Sequence, residues 1–288
     1  MKWLRWIGIV LAGLVGLVVI SGLVLFFLGG RKLGRTVTAE PHPIAIPDDS
    51  LSIAEGARYA RIFACADCHG ARLEGTVMID DPVLGRVVAP HIAPGEGSVT
   101  AGFETADWLR AIRHGIGGDG RPLVIMPATY YVKLLSEEDL ARIIAYVRQA
   151  EPVDHHPGKT SLRLAQVLLG AGVFPFEYDQ IDHAMPAPPK PAAGDTLAVG
   201  MYIGGICRAC HGENLMGDEE AGGTPIARGG LIEAYDERSF VALFRTGRTP
   251  GGRMIDSTRM PWHTLGAMND AELDAVWRYV RSVPASTP

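Results

Sequence analysis

The sequence is poor in several features that would point to common classes of protein. Its net charge is only −5 over 288 residues, and no segment is basic enough for a nucleic-acid footprint. The acidic excess is also too small to predict strong electrostatic steering of a partner. Alternating runs of β-branched residues are absent, so we expect few strands. Cysteine is scarce too, with four residues in all.

The four cysteines fall in two C-x-x-C-H motifs, CADCH at 65–69 and CRACH at 207–211. This pattern is typical of c-type haem attachment. Two thiols on one helical turn can reach the two vinyl groups at one edge of a porphyrin, and the adjacent histidine can then bind the iron. We therefore predict two covalently bound haem c groups. The predicted residues are Cys65, Cys68, Cys207 and Cys210 for attachment, with His69 and His211 as iron ligands.

Two other uses of a C-x-x-C pair fit the sequence less well. Structural zinc needs four ligands, whereas each motif supplies two cysteines and one adjacent histidine. A thioredoxin-like redox pair would lie in a β-α-β pattern, which the sequence lacks. Haem attachment is therefore the favoured interpretation.

An internal repeat surrounds the two motifs. HGARLEG at 69–75 matches HGENLMG at 211–217, and the segment 107–121 aligns without gaps to 239–253. Each repeat closes with a predicted amphipathic helix behind a polar cap. The first helix is capped by Ser136 and has Leu140, Ile143, Ile144 and Val147 on one face. The second is capped by Asn269, with Glu272 three residues on, and has Leu273, Val276, Trp277 and Val280 on one face.

A Met-Pro pair precedes the closing helix of each repeat, Met126-Pro127 and Met260-Pro261. A methionine on such a loop would complete His/Met ligation of the iron, which raises the haem potential. Methionine also commonly fills gaps in a core, so other methionines are rivals. Position in the repeat favours Met126 and Met260 as the second iron ligands. The rivals are Met78, Met216, Met254 and Met268.

Histidines and arginines outside the motifs carry weaker signals. His91 lies in a proline-flanked loop and is expected in solvent, although contact with a haem propionate or a surface metal stays open. His114 aligns with Thr246, so it is expected at the surface or at a haem edge. The adjacent His155 and His156 are an occasional kind of metal site. Four arginines recur in the repeat, where they either neutralise haem propionates or lie on solvated helix ends. They are Arg113, Arg245, Arg121 and Arg253.

The N-terminus carries a long apolar segment. Ile7 to Leu28 is 22 residues without a charge. As a helix it would be roughly 33 Å long, enough for a bilayer core of about 30 Å. A cleaved signal peptide is the alternative, since small residues follow at 37–39, but the apolar part of a signal is usually only about 7–15 residues long. We expect a single-pass transmembrane anchor.

The basic residues around this segment give a weak indication of its orientation in the membrane. Two of them precede it and three follow, which by count alone would place the rest of the chain in the cytoplasm. The difference is one charge, and covalent haem attachment requires export. We therefore expect the haem domains on the periplasmic side of a bacterial inner membrane.

The remaining chain divides by composition. Residues 162–176 are strongly apolar and are interpreted as a short helix packing across the domain junction, with an interfacial membrane contact as the alternative. The predicted organisation is a transmembrane anchor at 1–35, a tether at 36–50, a first domain at 51–150, a proline-rich interdomain linker at 151–194 and a second domain at 195–288.

On these motifs the sequence resembles the class I cytochrome c family. The resemblance rests on CADCHG, CRACHG, IMPATYY and RMPW with the closing helices, over 51–150 and 195–288. The run WLRAIRHGIGGDGRPLVIMP is similar to the dihaem and trihaem cytochromes that serve periplasmic dehydrogenases, such as the cytochrome subunit of membrane alcohol dehydrogenases. The chain departs from that subunit in having two motifs rather than three and an N-terminal anchor. In these two respects it is also similar to the dihaem subunit of cbb3-type oxidases.

The resemblance implies an all-α fold, with two tandem class I cytochrome c domains after an N-terminal transmembrane helix. It implies single-electron transfer in a respiratory chain between membrane or periplasmic redox proteins, with a dehydrogenase as donor and a bc1 complex or terminal oxidase as acceptor. Iron with six ligands leaves no site for a substrate, so we expect a carrier rather than an enzyme. The alternatives are a dihaem subunit of a terminal oxidase and a dihaem peroxidase, which would need one iron with a vacant or displaceable ligand.

Overall fold

The structure is a computed structural model that describes residues 2–219 and 221–285. It is mostly helical with little strand, which confirms the predicted fold class. The chain forms two compact units, neither of which is continuous in sequence. Unit 1 comprises Met1–Pro43, Glu74–Thr129 and Asp154–Ala184, and unit 2 comprises Ile44–Leu73, Tyr130–Val153 and Met185–Pro288.

Unit 1 contains a long apolar helix, a small sheet and two shorter α-helices. Its elements are α1 (Lys2–Leu33), β1 (Thr76–Asp81), β2 (Gly85–Ala89), α4 (Thr105–His114), β3 (Ser161–Leu162), α7 (Leu164–Gly170) and a 3-10 helix at Glu177–Gln180. Among the described residues, α1 is the one helix long and apolar enough to cross a membrane. By length and composition alone, an N-terminal export signal would pass the same test.

Helix α7 packs directly on the C-terminal part of α1. The two backbones approach so closely that a Cβ on Gly29 would lie 2.0 Å from the carbonyl oxygen of Gln166, and a Cβ on Gly170 would lie 1.9 Å from that of Leu25. The Gln166 side chain also donates a hydrogen bond to the carbonyl of Phe26 at 2.9 Å. Small residues that allow such an approach are typical of helix pairs in membranes.

A three-stranded antiparallel sheet, in the order β1-β2-β3, was not expected from the sequence. Strands β1 and β2 form a hairpin, in which the carboxylate of Asp81 accepts hydrogen bonds from the N–H groups of Val83 and Leu84. Strand β3 comes from the predicted linker and pairs Gly85 with Leu162. Part of the segment 151–194 is therefore folded onto the sheet of unit 1.

Unit 2 contains both C-x-x-C-H motifs and the opening and closing helices of both repeats. The division between the units falls within α5 (Ala128–Leu134). The other elements are α2 (Ser50–Ile62), α3 (Cys65–His69), α6 (Glu137–Arg148), α8 (Thr196–Ile203), a 3-10 helix at Gly204–Cys207, α9 (Arg208–His211), a 3-10 helix at Leu231–Ala234, α10 (Glu237–Thr246), α11 (Trp262–Leu265) and α12 (Asp270–Ser282).

In each repeat the opening helix crosses the closing helix at a glycine. A Cβ on Gly56 of α2 would lie 1.9 Å from the carbonyl oxygen of Arg142 in α6. A Cβ on Gly200 of α8 would lie 2.0 Å from that of Ala275 in α12. Both pairs of helices therefore touch backbone to backbone, and only glycine fits at the crossing.

The predicted caps and apolar faces of the closing helices are confirmed. Ser136 accepts a hydrogen bond from the N–H of Asp139, and Asn269 forms a capping box with Glu272. The residues of both predicted faces are buried. Capping satisfies N–H groups that a helix leaves unpaired at its start, so these polar residues fix where α6 and α12 begin.

Candidate functional site

The first C-x-x-C-H motif forms a short helix of its own, α3. Ala64 precedes it in the left-handed conformation, with φ 61°, and Gly70 ends it with φ 88°. Cys65 and Cys68 are three residues apart on this helix and therefore lie on the same side of it. His69 is the last residue of the same turn, as haem attachment requires.

The second motif has the same spacing but a different start. Cys207 ends a 3-10 helix that continues directly from α8, and Cys210 and His211 lie on α9. Gly212 ends the helix with φ 79°. Cys207 and Cys210 again lie one turn apart.

The loop after each motif has the same backbone in both repeats. Leu73 and Leu215 both adopt positive φ, at 61° and 59°, which side chains other than glycine rarely do. Both leucines are buried, and each donates its N–H to the carbonyl of the glycine that follows the histidine, at 2.9 Å. Burial of the leucine compensates for the strained backbone, and the match supports the internal repeat.

The surroundings of the four thiols raise their pKa values. Removal from solvent, with a smaller effect of the partner thiol, raises the pKa of Cys65 to about 12 and that of Cys207 to about 12. The same burial raises the pKa of Cys68 and of Cys210. Reactive dithiols instead have a lowered thiol pKa, because their surroundings stabilise the thiolate. The raised pKa values are therefore unfavourable for a redox pair.

His211 has the hydrogen bond expected of an iron ligand. Its Nδ1 lies 2.7 Å from the carbonyl oxygen of Thr224, so Nδ1–H donates and Nε2 is left as the ligating nitrogen. Burial lowers the pKa of His211, which keeps the ring neutral. Gly223 lies against the motif, where a Cβ would be 1.6 Å from the carbonyl oxygen of Cys210. This loop therefore fits the backbone of the haem-attachment helix, and the donor set fits haem.

The two Met-Pro segments share one turn. The N–H of Ala128 donates to the carbonyl of Met126 at 2.8 Å, and the N–H of Trp262 donates to that of Met260 at 2.7 Å. Trp262 is held in turn by a hydrogen bond from its Nε1 to the carbonyl of Ile255 at 3.1 Å. Both methionines are half-buried.

The rival methionines have other environments. Met268 is 1% exposed and belongs to the core, whereas Met254 is 51% exposed. Met78 lies on β1 and is exposed. Met216 is half-buried and follows the second motif directly.

The structure thus brings together the cysteines and histidine of each motif. His211 and Met260 both belong to unit 2. His69 belongs to unit 2 and Met126 to unit 1. The assignment of Met126 and Met260 as iron ligands stays a prediction from the repeat.

One histidine expectation is wrong and a second is wrong in part. His91 is fully buried rather than solvated, and its Nδ1 lies 3.2 Å from the carbonyl oxygen of His155. His114 was expected at the surface or at a haem edge; it is buried, so the surface position is wrong, and its Nδ1 lies 3.0 Å from Nδ1 of His183. The ring of His183 stacks in turn on Tyr178 at 4.3 Å between centroids. Burial, reinforced by His183, lowers the pKa of His114 to about 4.

Other candidates have local partners. Arg245 donates to Asp270 at 2.7 Å and to the carbonyl of Gly266 at 2.6 Å, which ties α10 to the start of α12. Nδ1 of His155 lies 2.8 Å from the carbonyl oxygen of Glu74. Within residues 2–219 and 221–285, no three His, Cys, Asp or Glu side chains are grouped to hold a metal ion.

Two adjacent tyrosines beside the motifs were missed from the sequence. The hydroxyl of Tyr131 donates to the carbonyl of Phe63 at 2.7 Å, just before the first motif. The hydroxyl of Tyr130 donates to the carbonyl of Gly205 at 2.9 Å, just before the second. Their position after the Met-Pro pair, in IMPATYY, was the one signal available, and it does not reveal that the two side chains reach different motifs.

Comparison with known proteins gives a family and several relatives. The model of the cytochrome c family matches residues 53–151 and 200–284. A nicotinate dehydrogenase subunit from Pseudomonas putida is 29% identical over 232 residues, which cover 74% of this chain and 19% of that protein. The fructose dehydrogenase cytochrome subunit of Gluconobacter japonicus is 25% identical over 293 residues, covering 88% of this chain and 57% of that protein.

A third relative is the cytochrome c subunit of alcohol dehydrogenase (quinone) from Gluconacetobacter polyoxogenes. It is 25% identical over 308 residues, covering 94% of this chain and 62% of that protein. These matches confirm the resemblance to cytochrome subunits of dehydrogenases. The chain spans from about a fifth to about three fifths of the length of these relatives.

Proposed function

We propose, since the chain belongs to the cytochrome c family, that it is a membrane-anchored dihaem electron carrier. The observation that carries the proposal is the pair of C-x-x-C-H motifs, each on one helical turn and each followed by the same buried-leucine loop. Haem supplies one-electron exchange at iron when it is bound. The chain supplies attachment, axial ligands and a partly apolar setting that tune the potential.

The roles of the site residues follow from the repeat. Cys65 and Cys68 would bind the first haem, and Cys207 and Cys210 the second. His69 and His211 would be the proximal ligands, with Met126 and Met260 opposite them. The hydrogen bond from His211 to the Thr224 carbonyl supports its role, because it fixes the ring and its tautomer.

His/Met ligation favours a carrier over an enzyme. With both axial positions filled by the protein, neither iron would bind peroxide or another substrate. A dihaem peroxidase would need one ligand to be absent or displaceable. The equivalent turns at Met126 and Met260 support equal ligation of the two haems.

The membrane placement rests on α1 and on the segment beside it. Three apolar side chains in and just after α7 are exposed. They are Leu164, Val173 and Phe174. Nζ of Lys32 donates to the carbonyl of Leu169 at 2.9 Å and so fixes the end of α7. An apolar segment at the end of a spanning helix suits the bilayer interface. We therefore propose that α1 spans the inner membrane, α7 lies in its interface and the haem motifs face the periplasm.

The partners are proposed from the names of the relatives. Those relatives are subunits of nicotinate, fructose and alcohol dehydrogenases. A dehydrogenase is therefore the proposed donor, and a bc1 complex or a terminal oxidase the proposed acceptor in a respiratory chain. Confinement to the membrane plane suits partners that are themselves membrane complexes.

A spectroscopic experiment on the membrane fraction tests this function. The full chain is produced with haem maturation, and the spin state of each haem and the consumption of peroxide are measured. We expect two low-spin haems in the membrane fraction and no peroxide turnover. A high-spin haem with peroxide turnover would support an enzyme instead. A matched control, in which a cleavable signal replaces residues 1–35, should keep both haems and no longer be held as an integral membrane protein.

A further inference from the structure

Each haem-attachment segment in unit 2 is contacted by a side chain from the other repeat. The hydroxyl of Tyr130, from the first repeat, donates to the carbonyl of Gly205, two residues before Cys207, at 2.9 Å. The hydroxyl of Thr264, from the second repeat, donates to the carboxylate of Asp67, inside the first motif, at 2.8 Å. The two contacts therefore run in opposite directions between the repeats.

The two donors occupy the same place in the repeat. Tyr130 is the fourth residue after Met126, and Thr264 is the fourth residue after Met260. Each lies on the short helix that follows a Met-Pro pair, α5 or α11. The contacts are thus a reciprocal pair rather than two unrelated hydrogen bonds.

Packing around these donors is close. Thr264 is buried, with 5% of its surface exposed. Gly205 is so near α5 that a Cβ there would lie 2.5 Å from Cδ1 of Leu134. The two hydrogen bonds are partly buried, and the packing beside them limits how far the donors can move.

A second reciprocal pair links the opening and closing helices. Arg58 of α2 donates to Glu272 of α12 at 2.5 Å, and Tyr202 of α8 donates to Asp139 of α6 at 2.7 Å. Both donors lie two residues after the glycine at a helix crossing, and both acceptors lie three residues after a helix cap. In unit 2, the opening helix of each repeat therefore donates a hydrogen bond to the first turn of the closing helix of the other repeat.

We propose that Tyr130 and Thr264 are positioning residues that couple the redox states of the two haems. The proposal rests on the proposed function, in which Met126 and Met260 bind the irons. Each hydrogen bond ties the segment after one iron ligand to the attachment segment of the other haem. With haem bound, a change in one methionine–iron bond would reach the attachment segment of the other haem through α5 or α11 and these hydrogen bonds.

The test uses the full holoprotein and six variants. Tyr130→Phe and Thr264→Val each remove one reciprocal bond. Thr264→Ser keeps the hydroxyl and should retain the coupling. Tyr131→Phe is the matched control, because it removes an equal hydroxyl bond to the Phe63 carbonyl within one repeat. The coupling is measured as the ratio of the electron affinities of one haem with the other oxidised or reduced, followed by nuclear magnetic resonance of the haem methyl groups.

We expect the coupling ratio to fall by about fivefold in Tyr130→Phe and in Thr264→Val, the equivalent of one ordinary hydrogen bond. Thr264→Ser and Tyr131→Phe should keep the wild-type ratio, and all variants should stay low-spin. Asp67→Ala, at an exposed residue, removes the Thr264 bond from its other side and must give the same loss.

An unchanged ratio in the double variant Tyr130→Phe/Thr264→Val would overturn the proposal. An equal loss in Tyr131→Phe would overturn it as well, because the effect would not be specific to the reciprocal bonds. Failure of the proposed function looks different. In that case the wild-type protein itself would lack two low-spin haems.

Discussion

The two repeats reach the same haem-binding loop by different routes. In the first repeat, the chain leaves α2 through a left-handed residue, Ala64, before α3 begins. In the second, α8 passes through a 3-10 helix into α9 without a break. Beyond the histidine, Leu73 and Leu215 return to the same backbone conformation. The backbone after the motif is therefore the same in both repeats, whereas the backbone that leads into the motif differs between them.

The repeats diverge again between this loop and the methionine. The first inserts the β1-β2 hairpin, and the second has a tight loop in which Thr224 accepts the bond from His211. Both then form the same turn, with a bond from Leu123 to Gly115 at 2.7 Å in the first and from Ile255 to Gly247 at 2.8 Å in the second. The segment from this turn to the methionine is two residues longer in the second repeat. Differences therefore collect in loops, and the elements that hold ligands are repeated.

The largest expected effect comes from removing one attachment site. Cys207→Ala/Cys210→Ala should reduce covalent haem from two groups per chain to one, because both thiols that could form a thioether bond in that motif are removed. Cys65→Ala/Cys68→Ala should likewise leave one covalent haem per chain, bound at the second motif. Intact-protein mass and haem staining measure the result. Retention of two covalent haems in either variant would contradict the assignment of one haem to each motif.

Much of the chemistry could be predicted from the sequence because it depends on fixed local spacing. The C-x-x-C-H motifs and the caps Ser136 and Asn269 act within one turn, and their patterns survive any tertiary arrangement. The hairpin was missed because its strands are short and one of them is largely exposed. The packing of α7 on α1 depends on Gly29 and Gly170, which are remote in sequence and carry no pattern.

The next largest effect is expected from removing the predicted methionine ligand of either haem. Met260→Ala and Met126→Ala should each lower the potential of one haem by about 100 mV or more, a small part of the roughly 0.8 V over which axial ligands act. The methionine–iron charge-transfer band of that haem should also disappear. Met254→Leu is the control, because Met254 is exposed. A loss of the band in the control alone would move the assignment to Met254.

The crossing glycines test whether the repeats are equally dependent on close helix packing. Gly56→Ala and Gly200→Ala each place a Cβ against a backbone carbonyl, so each should destabilise its helix pair by about 2 kcal/mol. This corresponds to a fall of roughly 4–8 °C in Tm. Thermal unfolding followed by circular dichroism gives the values. Gly194→Ala is the control, since a Cβ there meets nothing within 4 Å; an equal fall in that variant would refute the crossing as the cause.

The smallest effect concerns the histidine found in the first repeat alone, His114. Its pKa of about 4 in the folded chain lies below the usual 6.5, because of burial and then His183. The unfolded chain therefore takes up the proton first, and stability is lost as pH falls from about 6.5 to about 4.

His114→Gln should flatten this part of the pH dependence of unfolding by denaturant. The second repeat has Thr246 at the equivalent position and no group to titrate there. His263→Gln, at an exposed residue, is the control and should keep the wild-type slope. A wild-type slope in His114→Gln would show that other groups cause the loss.

The most direct test of the two-haem carrier is a potentiometric titration of the full chain in the membrane. The absorbance bands of haem and the methionine–iron charge-transfer band are followed together. We predict two one-electron steps, both from low-spin haems with methionine ligation. Uptake of only one electron per chain, or one haem that is high-spin or lacks the methionine band, would contradict the account of two equivalent haem sites.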